Sequence, residues 1–131
     1  MITEKMVSDT GGNMSTLKPE LIEALDRMFH HSLDIKCELH FPPSGFNSGK
    51  HDGPWHPRGA AVDFYLTGNQ PPIFEIIALM ILSGFTGIGV YWNGKIISFH
   101  GDIRPDFAQW VAVKRDGSWK YSALINDPRL L

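Results

Sequence analysis

Cysteine, clustered charge and long apolar runs are all scarce in this chain, and each shortage removes a class of protein. Cys37 is the only cysteine among 131 residues. No intramolecular disulfide can form, and a zinc site built on several thiolates is excluded. Cys37 lies in the alternating run Ile35-Lys36-Cys37-Glu38-Leu39, which places it on one strand face with Ile35 and Leu39 as a small buried hydrophobe. Lysine and arginine number 12 against 14 aspartates and glutamates, without a basic run, so the electrostatic footprint of a nucleic-acid binder is missing. The longest apolar stretch, Ile76 to Leu82, is too short to span a bilayer. The opening Met1-Ile2-Thr3-Glu4-Lys5 lacks the charged segment and apolar core of a secretory signal. The expectation is a cytoplasmic product with neither membrane nor nucleic acid as partner, which would reach any target outside the cell only through another factor. Its oligomeric state leaves no mark on the sequence.

What is present is enough for one domain. A hydrophobic content of 43% over 131 residues builds a core without staples, and the length leaves no room for a second unit. Residues 1–14 are polar and aperiodic and read as a flexible N-terminal arm, leaving 15–131 as the domain. Ser15 or Thr16 is placed to cap a helix over about 17–31, with Pro19 and Glu20 in its first turn. Leu21, Ile22, Leu25, Met28 and Phe29 form its apolar stripe. Asp34 to His40 and Ala60 to Leu66 alternate as strands, the second with Val62, Phe64 and Leu66 on one face and Ala61, Asp63 and Tyr65 on the other. Between them, Phe41 to Pro57 is a long loop rich in breakers, a length that usually signals function or disorder. Ile73 to Ser83 reads as a buried helix ending at Gly84. Two hairpins follow, Gly87–Trp92 with Lys95–Asp102 around Asn93-Gly94, and Gln109–Lys114 with Ser118–Leu124 around Asp116-Gly117. The fold class is α+β, an antiparallel sheet with helices packed on one face.

The chemistry concentrates in two segments. His56 ends the long loop and Asp63 lies in the following strand, with Gly59 permitting a turn between them and small Ala61 leaving room on the Asp63 face. In the later run Ser98-Phe99-His100-Gly101-Asp102, alternation puts Ser98, His100 and Asp102 on one face. If the two strands are neighbours, two imidazoles and a carboxylate converge. That is the ligand set of a catalytic zinc site, with a fourth position for water. Zinc there would lower the pKa of water and polarise an amide carbonyl. Ligation by two histidines and an aspartate suits zinc best, though other divalent ions occupy such sites.

The same residues carry a family resemblance. His56, Gly59, Ala61 and Asp63 fit the H-x-x-G-x-A-x-D motif of the D-alanyl-D-alanine carboxypeptidase-like zinc peptidases, which share the Hedgehog-type fold. Chance produces that four-point match in about one chain per thousand of this length. A second block, Gly87-Ile88-Gly89-Val90-Tyr91, then His100-Gly101-Asp102-Ile103-Arg104-Pro105, then Trp110, resembles the G-[IV]-G-x-Y, H-x-D-x-R and W pattern of the small, often phage-borne branch. Ser44-Gly45-Phe46-Asn47-Ser48 echoes a segment ahead of the first ligand. The resemblance spans about residues 40–110. It implies an antiparallel sheet with zinc on one face, the ligands His56, Asp63 and His100, and hydrolysis of D-amino-acid peptides of bacterial peptidoglycan by carboxypeptidase or endopeptidase action.

The chain departs from that pattern in three places. Asn47 stands where the family has an arginine implied to meet a substrate carboxylate, and Pro54 replaces a serine two residues before the first histidine. Many relatives carry an acid, the general base, three to six residues before the last ligand, whereas this chain has Gly94, Lys95, Ile96 and Ile97. Asp102 is the replacement base by position, with an orienting role for an imidazole as the equal alternative. His51 and Asp52 are further candidates for the missing group, against the commoner reading of a solvated loop pair. Arg104 is placed to grip a substrate anion in place of the lost arginine, or to form a structural ion pair. Trp55, Trp92 and Trp110 are candidates for groove walls, although aromatics more often lie in cores; Trp55, beside His56, is the strongest of the three as a substrate contact. The rivals to a peptidase are a zinc-binding module of the same fold without turnover, and a phage structural or binding protein.

Overall fold

The computed structural model describes residues 1–46 and 54–123. Its elements run α1 (Glu4–Ser8), α2 (Pro19–Asp34), β1 (Cys37–His40), β2 (Ala61–Gly68), α3 (Ile73–Ser83), β3 (Gly87–Trp92), β4 (Ile97–Asp102), β5 (Ala108–Arg115) and β6 (Ser118–Ser122). The α+β class stands. The strands form one sheet in the order β1-β2-β4-β3-β5-β6.

That sheet is mixed, which corrects the expectation of a purely antiparallel one: β3 and β5 pair in parallel, Gly87 opposite Ala108 through Trp92 opposite Val113. The cause is a short hop. Asp102, the end of β4, and Ala108, the start of β5, both lie opposite Gly87, so the chain steps over the start of β3 and runs on beside it. Thr86 fastens both sides of the hop. Its N–H donates to the Asp102 carbonyl at 2.9 Å, and its carbonyl accepts from Ala108 N–H at 2.9 Å. Turn signals identify consecutive pairs and carry no trace of such a skip.

Alternation divides the sheet. Val62, Phe64, Ile88, Val90, Phe99, Val111 and Val113 face the helices and join Leu21, Leu25, Met28 and Met80 in the core. The opposite face carries Asp63, His100 and Asp102. Helix α2 begins later than expected: Lys18 is its N-cap without a side-chain bond, and Pro19 opens it. Ser15 and Thr16 fall instead in a 3₁₀ turn over Met14–Thr16 capped by Asn13. The helix also runs on to Asp34, so Ile35 becomes its C-cap and does not share a strand with Cys37, which is buried. Helix α3 has the expected bounds and ends at Gly84 in the left-handed region, a conformation glycine adopts without penalty.

The stretch read as a loose arm carries structure. Helix α1 lies within it, Ile2 and Val7 are buried, and the Ile2 N–H donates to Asp26 Oδ1 at 2.7 Å. The signal was weak because two apolar residues in five show no periodicity.

Candidate metal centre

The register of β2 against β4 sets the site. Asp63 lies directly opposite His100, and Ala61 opposite Asp102, so alternation delivers all four side chains to the face away from the helices. His56 arrives from the turn before β2. Gly59 sustains that turn at φ 69, and a side chain there would overlap the Thr16 carbonyl. The Gly59 N–H donates to the His56 carbonyl at 3.0 Å, and the Gly59 carbonyl accepts from Lys18 N–H at 2.9 Å.

His56, Asp63 and His100 each offer a ligand atom within 4.8 Å of the others. The expected convergence is present, and the group can hold a metal ion. Asp63 Oδ1 stands 3.1 Å from His100 Nδ1 and 3.4 Å from His56 Nε2. The imidazoles meet edge to face at 5.1 Å. His56 Nδ1 lies 3.4 Å from the Phe46 carbonyl, which can only accept. In the neutral ring Nδ1 therefore holds the proton, and Nε2 turns a bare lone pair toward Asp63. His56 Nε2 is buried without a hydrogen-bond partner, because its approach to Asp63 meets distance but not hydrogen-bond geometry. An orphaned buried acceptor beside a carboxylate is an expensive arrangement in a dry protein and a fitting one for a cation.

Asp102 sits on the other side of His100. Its Oδ2 is 2.8 Å from His100 Nε2, and its Oδ1 accepts from Arg104 Nε at 2.8 Å and Arg104 N–H at 3.1 Å. A second guanidinium nitrogen of Arg104 donates to Oδ2, and the Asp102 side chain has no exposed surface. Glycine makes this packing feasible: a Cβ on Gly87 would overlap the Asp102 carboxylate, and one on Gly89 would lie 2.6 Å from the Trp110 ring.

The charges reinforce one another. Burial works against ionisation of Asp63 and Asp102, but the hydrogen bond from His100 and the adjacent His56 ring at the first, and the bonds from Arg104 and His100 to the second, hold both carboxyls down at about 2. Burial likewise opposes the imidazolium of His100, and its bonds to Asp102 and Asp63 outweigh that, raising it to about 9. Without metal, His100 is thus an imidazolium between two carboxylates.

The substrate-contact candidates fall out differently. The Arg104 guanidinium lies 5.5 Å from the Trp55 ring and 4.9 Å from the Trp110 ring, so both tryptophans border the site, and Trp110 contacts His100 at 5.3 Å. Trp92 is on the helix side, lining a groove of about 360 Å³ with Ile73, Ile76, Ile97 and Phe99, away from the ligands. Asn47, His51 and Asp52 lie outside the described residues. The contribution of Gly45 and Phe46 was missed: the Gly45 carbonyl accepts the Asp63 N–H at 2.7 Å, while Phe46 holds His56. The signal available was Gly45 itself, where a Cβ would sit 2.9 Å from the Asp63 carbonyl oxygen. No protein-family profile, curated protein or solved structure matches the chain.

Proposed function

We propose that this chain is a zinc-dependent peptidase that hydrolyses D-amino-acid peptides of bacterial peptidoglycan, with a Hedgehog/DD-peptidase-like fold. The observation that carries the reading is the convergence of His56, Asp63 and His100 on the open sheet face, with the lone pair of His56 Nε2 unsatisfied. The motif resemblance around the same residues supplies the substrate class.

His56 Nε2, Asp63 and His100 Nδ1 would hold the ion. Bound there, zinc supplies Lewis acidity toward an amide carbonyl and makes water acidic enough to attack near neutral pH. The chain's own residues do the positioning. The Phe46 carbonyl keeps the proton of His56 on Nδ1, and Asp102 keeps that of His100 on Nε2, so each ring presents its other nitrogen inward. Arg104 anchors Asp102 from outside. Those bonds favour Asp102 as the group that orients His100, because a general base needs access to the reacting water. Arg104 retains partial exposure next to Trp55, consistent with a substrate contact on its outer edge.

A second reading, a zinc-binding module without turnover acting as a phage structural or binding protein, draws support from the occupied state of Asp102. Incubation of the zinc-loaded protein with purified peptidoglycan separates them. Hydrolysis releases new amino termini or free D-alanine, and His100→Ala abolishes release. Tight zinc binding by a wild-type protein that releases nothing would establish the second reading.

A further inference from the structure

On the open face, the sheet continues past the metal centre as an aromatic shelf. Trp110, against His100, donates its Nε1–H to the Tyr91 hydroxyl at 2.9 Å. Tyr91 in turn meets Trp119 at 5.3 Å and Tyr121 at 6.3 Å. The register explains the row, since Ala112 lies opposite both Tyr91 and Tyr121 and is small enough to let the rings close over it. Glycine, alanine and Lys114 apart, this face of β3, β5 and β6 presents only those four aromatic residues. Tyr121 is 61% exposed, and Lys114 Nζ lies 5.7 Å from the Trp119 ring.

We infer that the shelf formed by Tyr91, Trp119 and Tyr121 is a saccharide subsite, which binds a pyranose ring of the glycan that bears the peptide held at the metal. The inference rests on the peptidase reading for the identity of that glycan. A pyranose offers an apolar C–H face and a rim of hydroxyls. The shelf offers flat rings, the exposed phenolic hydroxyl of Tyr121, able to donate and accept, and one ammonium at the edge. A protein helix would ask for aliphatic side chains, and this part of the face has no leucine, isoleucine, valine or methionine. Single-stranded nucleic acid also stacks on aromatic rings, but it requires a basic track, and the chain carries a net charge of −2. Continuity with His100 through Trp110 puts the shelf beside the metal centre, within reach of a sugar carried by a peptide bound there.

The test uses the full chain and peptide-free oligomers of N-acetylglucosamine, followed by tryptophan fluorescence and by chemical-shift changes, with and without chelator. The expected result is saturable binding that survives chelation and weakens roughly tenfold or more in Tyr121→Ala and in Trp119→Ala. Tyr121 is exposed enough that its replacement leaves the fold intact, and circular dichroism checks this. No binding by wild type, binding untouched by both substitutions, or preference for a single-stranded oligonucleotide overturns the inference. A parallel assay of peptide release keeps the two readings apart. Glycan binding without release removes the peptidase and leaves the shelf, whereas equal release from sugar-linked and sugar-free peptides without glycan binding removes the shelf alone.

Discussion

Replacing Asp102 by asparagine changes one oxygen into an amide nitrogen at the most enclosed point of the site. Every acceptor position of the carboxylate in use is matched to a donor: three bonds come from Arg104 and one from His100. An amide has one acceptor and one donor end. Whichever way it turns, its NH₂ faces an N–H of His100 or Arg104, leaving buried donors opposed at about 1–3 kcal/mol. With the NH₂ toward His100 that ring loses the partner that holds its proton on Nε2, and in either orientation the negative charge that favours that proton is gone, so Nδ1 presents its lone pair to a cation less often. Loss of such an outer partner lowers metal affinity by roughly 10–100-fold, about 1.4–2.8 kcal/mol. The assay is zinc competition against a chromophoric chelator, with denaturant unfolding of the metal-free protein run alongside. Zinc affinity within twofold of wild type, together with loss of nearly all hydrolysis, would refute the reasoning and make Asp102 the general base.

Two further outcomes follow from the packing and the charges. Gly89→Ala pushes a methyl group to 2.6 Å from Trp110, so that ring must leave His100 and Tyr91; overpacking of this kind costs about 1–3 kcal/mol in denaturant unfolding, and a change below about 0.5 kcal/mol would show that the ring yields freely. In the metal-free protein, the depressed carboxyls of Asp63 and Asp102 stabilise the fold fully above their ordinary 3.8 and lose that contribution as pH falls toward about 2. The raised imidazolium of His100 contributes fully below its ordinary 6.5 and loses its contribution as pH rises through about 9. These groups therefore give greatest stability between about pH 4 and 6.5, and an unfolding series that keeps climbing above pH 7 contradicts the imidazolium. Because zinc must displace a His100 proton, apparent zinc affinity rises by up to about tenfold per pH unit below pH 9, as isothermal titration at three pH values would show.

The ligands were legible because each is a side chain with a period. Alternation aligned His100 with Asp102, and the spacing from His56 to Asp63 left one turn to be made at Gly59. The supports were illegible for a physical reason. The Phe46 carbonyl that holds His56 and the Gly45 carbonyl that holds Asp63 are backbone atoms, common to all residues, and only the glycine needed for close approach hints at them. Gly87 and Gly89 were visible as a pattern, but their purpose, space for Asp102 and for Trp110, depends on which strands become neighbours. The parallel pairing of β3 with β5 is a choice between non-consecutive strands, and turn residues cannot encode it.

The strongest rival to a metal at this centre is a bare ion-pair cluster, and the two differ at one atom. His100 between Asp63 and Asp102 is well satisfied as an imidazolium, so those three residues alone would be an adequate structural network. His56 is not accounted for by that network. Its ring is fully buried, its Nδ1 is directed to a carbonyl, and its Nε2 faces a carboxylate oxygen with no proton to share. Protonating His56 would supply a donor but would bury a further charge, and an apolar residue would fill the space at lower cost. A divalent cation satisfies the Nε2 lone pair, replaces the proton on the Asp63 side of His100, and leaves the Asp102 bond intact. Among the described residues, no group other than a bound cation would give each of these buried atoms a partner at once.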